Sequence, residues 1–165
     1  MPGVTDAGMV ALGSGPPSLQ VLDVTNRRKL TDKGLVAVAK GCCNLKSLHL
    51  AGCRLVTDGL LEVLSKHCPH LEELGLALDI SCCPEITDVA FSGLERGESE
   101  ACLRVLKACN CPKITVLGIG LLLKFCKSLH NLDVSSCPNI TKTVCEQAGQ
   151  SKKCGSSEVF DLNCE

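Results

Sequence analysis

The residues of this chain best suited to chemistry are its cysteines, 14 in 165 residues, beside 4 histidines. Clusters such as Cys42-Cys43, Cys82-Cys83 and Cys109-Asn110-Cys111 are of the kind that hold zinc or supply a thiolate nucleophile. Their spacing argues against both. No C-x-x-C occurs, and zinc sites of this ligand type are built from paired C-x-x-C units. A nucleophile needs a base and a group that orients the base. No such set accompanies His49, His67, His70 or His130. Gly13-Ser14-Gly15 and Gly118-Ile119-Gly120 do not continue into a phosphate-binding fingerprint. Asn139-Ile140-Thr141 matches a glycosylation acceptor, but it falls on a repeated turn. Neither an enzyme, nor a metal, nor a cofactor is expected.

The elements that position these residues must be built with few large rings. The chain has 3 Phe and no Trp or Tyr, yet 45% of it is hydrophobic. Burial must come from Leu, Val, Ile, Ala and Cys, which suits many thin, similar layers. The formal net charge of −1 gives no reason to expect a nucleic acid or an anionic membrane as partner. The longest apolar run, Ile114 to Leu123, is too short for a spanning helix, which needs ~20 residues. The N-terminus MPGVTDAGMV lacks the basic and apolar regions of a secretory signal. A reducing, intracellular setting (cytoplasm or nucleus) with free thiols is expected.

The layers are visible as an internal repeat. Val4-Thr5-Asp6 returns as Leu30-Thr31-Asp32, Val56-Thr57-Asp58 and Ile86-Thr87-Asp88, with weaker echoes at Ile114-Thr115-Val116 and Ile140-Thr141-Lys142. Between them runs L-x-x-L-x-L, as in Leu19 to Val24, Leu45 to Leu50, Leu103 to Ala108 and Leu129 to Val134. Cys53, Cys83, Cys111 and Cys137 sit three residues after the last aliphatic of that signature, and Cys42, Cys68 and Cys126 three before its first Leu. Half of the thiols therefore occupy structural slots, where a small, soft side chain suits a tight turn.

Each repeat reads as a strand, a turn and a helix. The alternation in Leu48-His49-Leu50 turns Leu inward and His outward. Leu35, Val38 and Ala39, then Leu60, Leu61 and Leu64, have helical spacing. Thr31 or Asp32, and Thr57 or Asp58, can cap those helices, and Gly41 is a plausible stop. Strands are expected near 21–24, 47–50, 73–80, 105–108 and 131–134, with a weaker sixth from Val159 to Leu162. In the third, Leu71 to Leu76 keeps the upstream register and Leu78 to Cys83 the downstream one. This overlap is either the scar of removed repeats or a four-residue insertion.

These residues resemble the cysteine-containing class of leucine-rich repeat, roughly C-x-x-L-x-x-L-x-L-x-x-C-x-x-[IV]-T-D followed by an apolar helix. The resemblance implies an α/β leucine-rich-repeat solenoid, a ribonuclease-inhibitor-like horseshoe with parallel strands on the concave face and helices on the convex face. It places five repeats in residues 1–141, at about 4–29, 30–55, 56–85, 86–113 and 114–139. Residues 142–165 form a C-terminal cap and tail. This class is typical of F-box/leucine-rich-repeat proteins, and the stretches LKACNCPKITVLGIG and LDVSSCPNIT look like the last repeats of a plant member. It implies the substrate-recognition repeats of an SCF-type ubiquitin ligase subunit. Nothing before Val4 is expected to hold an F-box, so this chain alone should not bind the ligase adaptor. The competing expectation is an F-box-free repeat adaptor or inhibitor. Either way the partner is a protein on the concave face, where Asp23, Thr25, Ser47, His49, Glu73, Lys107, Asn131 and Asp133 are the candidate contacts.

Overall fold

The computed structural model describes residues 4–15, 18–67, 76–92, 103–141, 143 and 161–164. Helices and strands alternate. They are α1 (Asp6–Gly13), β1 (Val21–Asp23), α2 (Asp32–Gly41), β2 (Ser47–His49), α3 (Asp58–His67), β3 (Leu76–Asp79), α4 (Val89–Ser92), β4 (Leu103–Lys107), α5 (Val116–Phe125), β5 (Asn131–Asp133) and β6 (Asp161–Asn163). The strands form one parallel sheet in sequence order, β1 to β6. No helix among the described residues is long and apolar enough to cross a membrane.

The strand phase follows from the Leu pattern. Leu22, Leu48, Leu78, Leu106 and Leu132 lie at one register level, and all are buried. Two residues on, Val24, Leu50, Ile80, Ala108 and Val134 are buried as well. Helices cover this face with Leu35, Val38 and Ala39 of α2 and Leu60, Leu61 and Leu64 of α3. No layer could exclude water alone, because each adds one thin row of aliphatics. Stacking joins the rows into a single apolar cluster.

Past each strand the chain turns through one left-handed residue: Asn26 (φ 60°), Gly52 (φ 73°), Cys82 (φ 57°), Asn110 (φ 53°) and Ser136 (φ 59°). In the last four this turns the next residue, the cysteine slot, back into the core, whereas Arg27 takes that place after Asn26 and is exposed. Cys53, Cys83, Cys111 and Cys137 are buried. Each thiol donates to a carbonyl of the preceding repeat, Val24, Leu50, Ile80 and Ala108, at 3.0–3.3 Å. Burial pushes all four thiols up, Cys83 and Cys111 to about 12. These are inert structural thiols.

The structure decides three points that the sequence left open or placed differently. Threonine, not aspartate, caps the helices. Thr31, Thr57, Thr87 and Thr115 accept at Oγ1 from the N–H two residues on, at 3.1–3.3 Å. The aspartates instead reach across to the next repeat. Asp6 accepts from the N–H and hydroxyl of Thr31 at 3.0 and 2.7 Å, and Asp32 likewise from Thr57. Asp58 does the same for Thr87 at 2.7 and 2.6 Å, and Asp88 for Thr115 at 2.8 and 2.5 Å. Second, Gly41 does not stop α2 by a left-handed turn. It is the last helical residue, and a Cβ there would collide with the Gly13 carbonyl of α1. Third, the sixth strand is described at Asp161–Asn163 and so runs one residue past Leu162, while Val159 and Phe160 lie outside the described residues. Pairing Leu162 with Leu132 sets its phase, because that register turns the one aliphatic inward.

Candidate partner-binding face

The sheet face turned away from the core carries the remaining strand side chains. Register places Asp23, His49, Asp79, Lys107, Asp133 and Asn163 in one row that crosses the strands. A second row runs Val21, Ser47, Ala77, Val105, Asn131 and Asp161. Thr25, Ala51, Ser81, Cys109 and Ser135 follow in the turns. The backbone ladder continues past these turns through Asn26 N–H to Ala51, Gly52 N–H to Ser81, Cys82 N–H to Cys109 and Asn110 N–H to Ser135. Every member of the three rows is half-buried or exposed.

Along the first row acids stand at Asp23, Asp79 and Asp133, a base at Lys107, and the imidazole of His49 between two acids. The acids are held in place. Asp23 accepts from Thr25 N–H at 2.9 Å, Asp79 from Ser81 N–H at 3.0 Å, and Asp133 from Ser135 N–H and hydroxyl at 3.1 and 2.7 Å. Hydrogen bonds from the Thr25 side chain and N–H hold the Asp23 carboxyl below the usual range. Burial pushes Asp133 up, but bonds from Ser135, Cys109 and Asn163 outweigh it and leave the group lowered. Ser47 Oγ lies 2.9 Å from His49 Nε2. Ion pairs among the described residues lie elsewhere, at Lys66–Glu62 and Lys113–Glu85. The row therefore offers fixed charges with small neighbours (Ala51, Ala77, Ser81) that leave them open to a partner.

Of the candidate residues, Asp23, Thr25, Ser47, His49, Lys107, Asn131 and Asp133 stand together on this face. Glu73 lies outside the described residues. The third place in the row belongs to Asp79, which pairs with His49 on one side and Lys107 on the other. The upstream Leu71 to Leu76 signature points to Glu73 instead of Asp79. The downstream spacing to Cys83 is the signal that finds it.

Among the described residues no group of three or more His, Cys, Asp or Glu is placed to hold a metal ion. The thiols Cys42, Cys43, Cys53, Cys82, Cys83, Cys109, Cys111, Cys126 and Cys137 are free. Cys164 is disulfide-bonded, so the expectation of free thiols throughout fails at the C-terminal end.

A family described as Leucine Rich repeat matches residues 41–63. No curated protein matches the chain in sequence. Among solved structures, a chain from the Rad7 and Elc1 complex in yeast is similar over 96% of this chain at 18% identity, with a TM-score of 0.72. The present chain spans only 37% of that protein's length. The actin-binding site 2 of leiomodin-1 is similar over 100% of this chain and 81% of its own, at 13% identity and a TM-score of 0.54. With the parallel sheet and its helices, these likenesses establish the fold as a leucine-rich-repeat solenoid.

Proposed function

We propose that the open sheet face recognises a protein, as the substrate-binding repeats of an F-box/leucine-rich-repeat subunit of an SCF-type ubiquitin ligase, and so serves proteasomal degradation. The observation that carries the binding role is the row Asp23, His49, Asp79, Lys107 and Asp133. Charges of both signs on an open sheet face, the acids held in place, suit electrostatic complementarity to another protein surface. The ligase role is carried by the resemblance of the cysteine and Thr-Asp pattern to that class of repeat. The Rad7 and Elc1 complex supports it to this extent: a similarly folded chain is found in a protein complex. Thr25, Ser47 and Asn131 flank the row as further contacts, and Glu73 extends the candidate set. The ligase adaptor is a partner only where an F-box stands upstream of these repeats. The repeats act by binding, without catalysis or cofactor, inside the cell.

The test is affinity recovery from cell extract with the intact chain, an Asp79→Lys/Lys107→Glu variant and a rim control, Glu85→Ala/Lys113→Ala. The expected result is one protein held by the intact chain and the control but lost by the row variant, and stabilised in cells when the repeats are depleted. Equal recovery by all three would remove the face from the reading. Loss in the row variant without any change in the protein's lifetime would leave a binding module with no ligase role.

A further inference from the structure

The two ends of the sheet differ. Within the array, each repeat-to-repeat junction has three parts: parallel strand pairing, an aspartate accepting from the next repeat's threonine, and a thiol reaching back to a carbonyl. The C-terminal end breaks this pattern. Val116 stands where the aspartate for Thr141 would be, β6 covers the edge of β5, and Cys164 is disulfide-bonded. The N-terminal end retains most of the receiving half. Thr5 caps α1 by accepting from Gly8 N–H. Among the described residues, its own N–H and hydroxyl hydrogen meet no acceptor. Those are the two donors that hold a carboxylate at Thr31, Thr57, Thr87 and Thr115.

The space beside Gly8 agrees. A Cβ on Gly34 would come within 2.7 Å of Asp6 Oδ1, and one on Gly118 would collide with Asp88. At these two junctions glycine, three residues after the threonine, leaves room for the preceding repeat's aspartate; Leu60 and Ala90 stand there at the other two. At Gly8 a Cβ would meet nothing nearer than Thr5 Oγ1 at 3.9 Å, so the same room is open. Beside it, the outer edge of β1 has no strand partner among the described residues, and Val10 and Val21 are 39% and 57% exposed.

We propose that the α1–β1 end is an interface built for a further leucine-rich repeat of the same class, stacked ahead of Val4 with its aspartate on Thr5 and its strand parallel to β1. The occupant is identified by the internal junctions, which the N-terminal surface continues. A second copy of this chain does not fit, because its C-terminal end lacks the aspartate and is closed by β6. With such a repeat in place, the charged row on the sheet face continues beyond Asp23.

The test inserts a second copy of residues 30–55 between Gly3 and Val4 of the full chain, with and without Asp32→Asn in the inserted copy. Hydrogen exchange is read at Thr5 and at Asp23, whose amide alternates away from β2. The expected result is exchange slowed about tenfold or more at both, with the gain at Thr5 lost when the inserted aspartate becomes Asn. Unchanged exchange, or an inserted copy that stays unfolded, would overturn the proposal. So would a native chain that is dimeric with its β1 amides already protected, since a second copy would then be the occupant.

Discussion

Leu48 and His49 are neighbours in one strand and answer to different constraints. On the inner face every strand repeats one solution. Leu22, Leu48, Leu78, Leu106 and Leu132 share a level, because each must fill the same gap between the same neighbours. On the outer face the next level reads Asp, His, Asp, Lys, Asp. The three Asp each accept from the N–H two residues on, so the turn accounts for them, whereas nothing in the stack demands His49 or Lys107, which are free to be set by what binds. Uniform slots therefore mark the scaffold, and varied slots in equivalent positions mark the candidate site.

The sharpest way to break this comparison is to truncate both sides of one strand. Leu48→Ala and Leu132→Ala should each destabilise by ~2–5 kcal/mol in denaturant titration, since both lie fully inside the shared core. His49→Ala and Lys107→Ala should change stability by no more than about 0.5 kcal/mol. Equal losses on the two faces would mean that the outer row is structural.

A smaller effect is expected from the junctions. Thr87→Val removes both a helix cap and the donor to Asp58, and should cost ~1–2 kcal/mol. Thr141→Val, whose slot has no aspartate opposite, should cost clearly less. A loss at Thr141 as large as at Thr87 would show that the cross-repeat bond contributes little.

The thiols sharpen the same point through pH. Cys83 and Cys111 are pushed up to about 12 by burial, whereas an unfolded thiol titrates near ~8.5. A folded pKa above the unfolded one contributes stability below the unfolded value and loses it as pH rises. Stability should therefore fall from about pH 8.5 towards 12. Thiolate absorbance, free of tyrosine interference because the chain has no Tyr, would follow it. Ionisation near pH 9 in the folded protein would contradict their burial.

The smallest effect lies at the acid end. Asp6 is raised by burial but lowered further by bonds from the Thr31 side chain and N–H and from Gly34, so its net shift is downward. Its contribution is present above ~3.9, the unfolded value, and is lost as pH falls through the lower folded one. Asp6→Asn should flatten that acid limb. A limb unchanged by the substitution would show that the Asp6 junction adds nothing.

Much of the fold was legible because it is periodic. Leu, Cys and Thr recur at fixed spacing, and each does its work inside one repeat or against an identical neighbour. The outer row was legible as far as strand phase reached: Asp23, His49, Lys107 and Asp133 follow from alternation alone. Asp79 did not, because two strand signatures overlap between Leu71 and Cys83, and only pairing with β2 and β4 selects one.

What the sequence by itself determined is the repeat, the inward phase of each strand and the thiol slots, since these depend on local order and on the period. Tertiary structure alone decided the partner of each Thr-Asp aspartate, which lies one repeat away, and the glycine contact between Gly41 and Gly13. It also decided the register of β6 and the disulfide at Cys164. The physical reason is distance along the chain. A local pattern sets what a residue presents, but which surface meets it is decided only when layers stack, and the free energy of that stacking is shared between repeats.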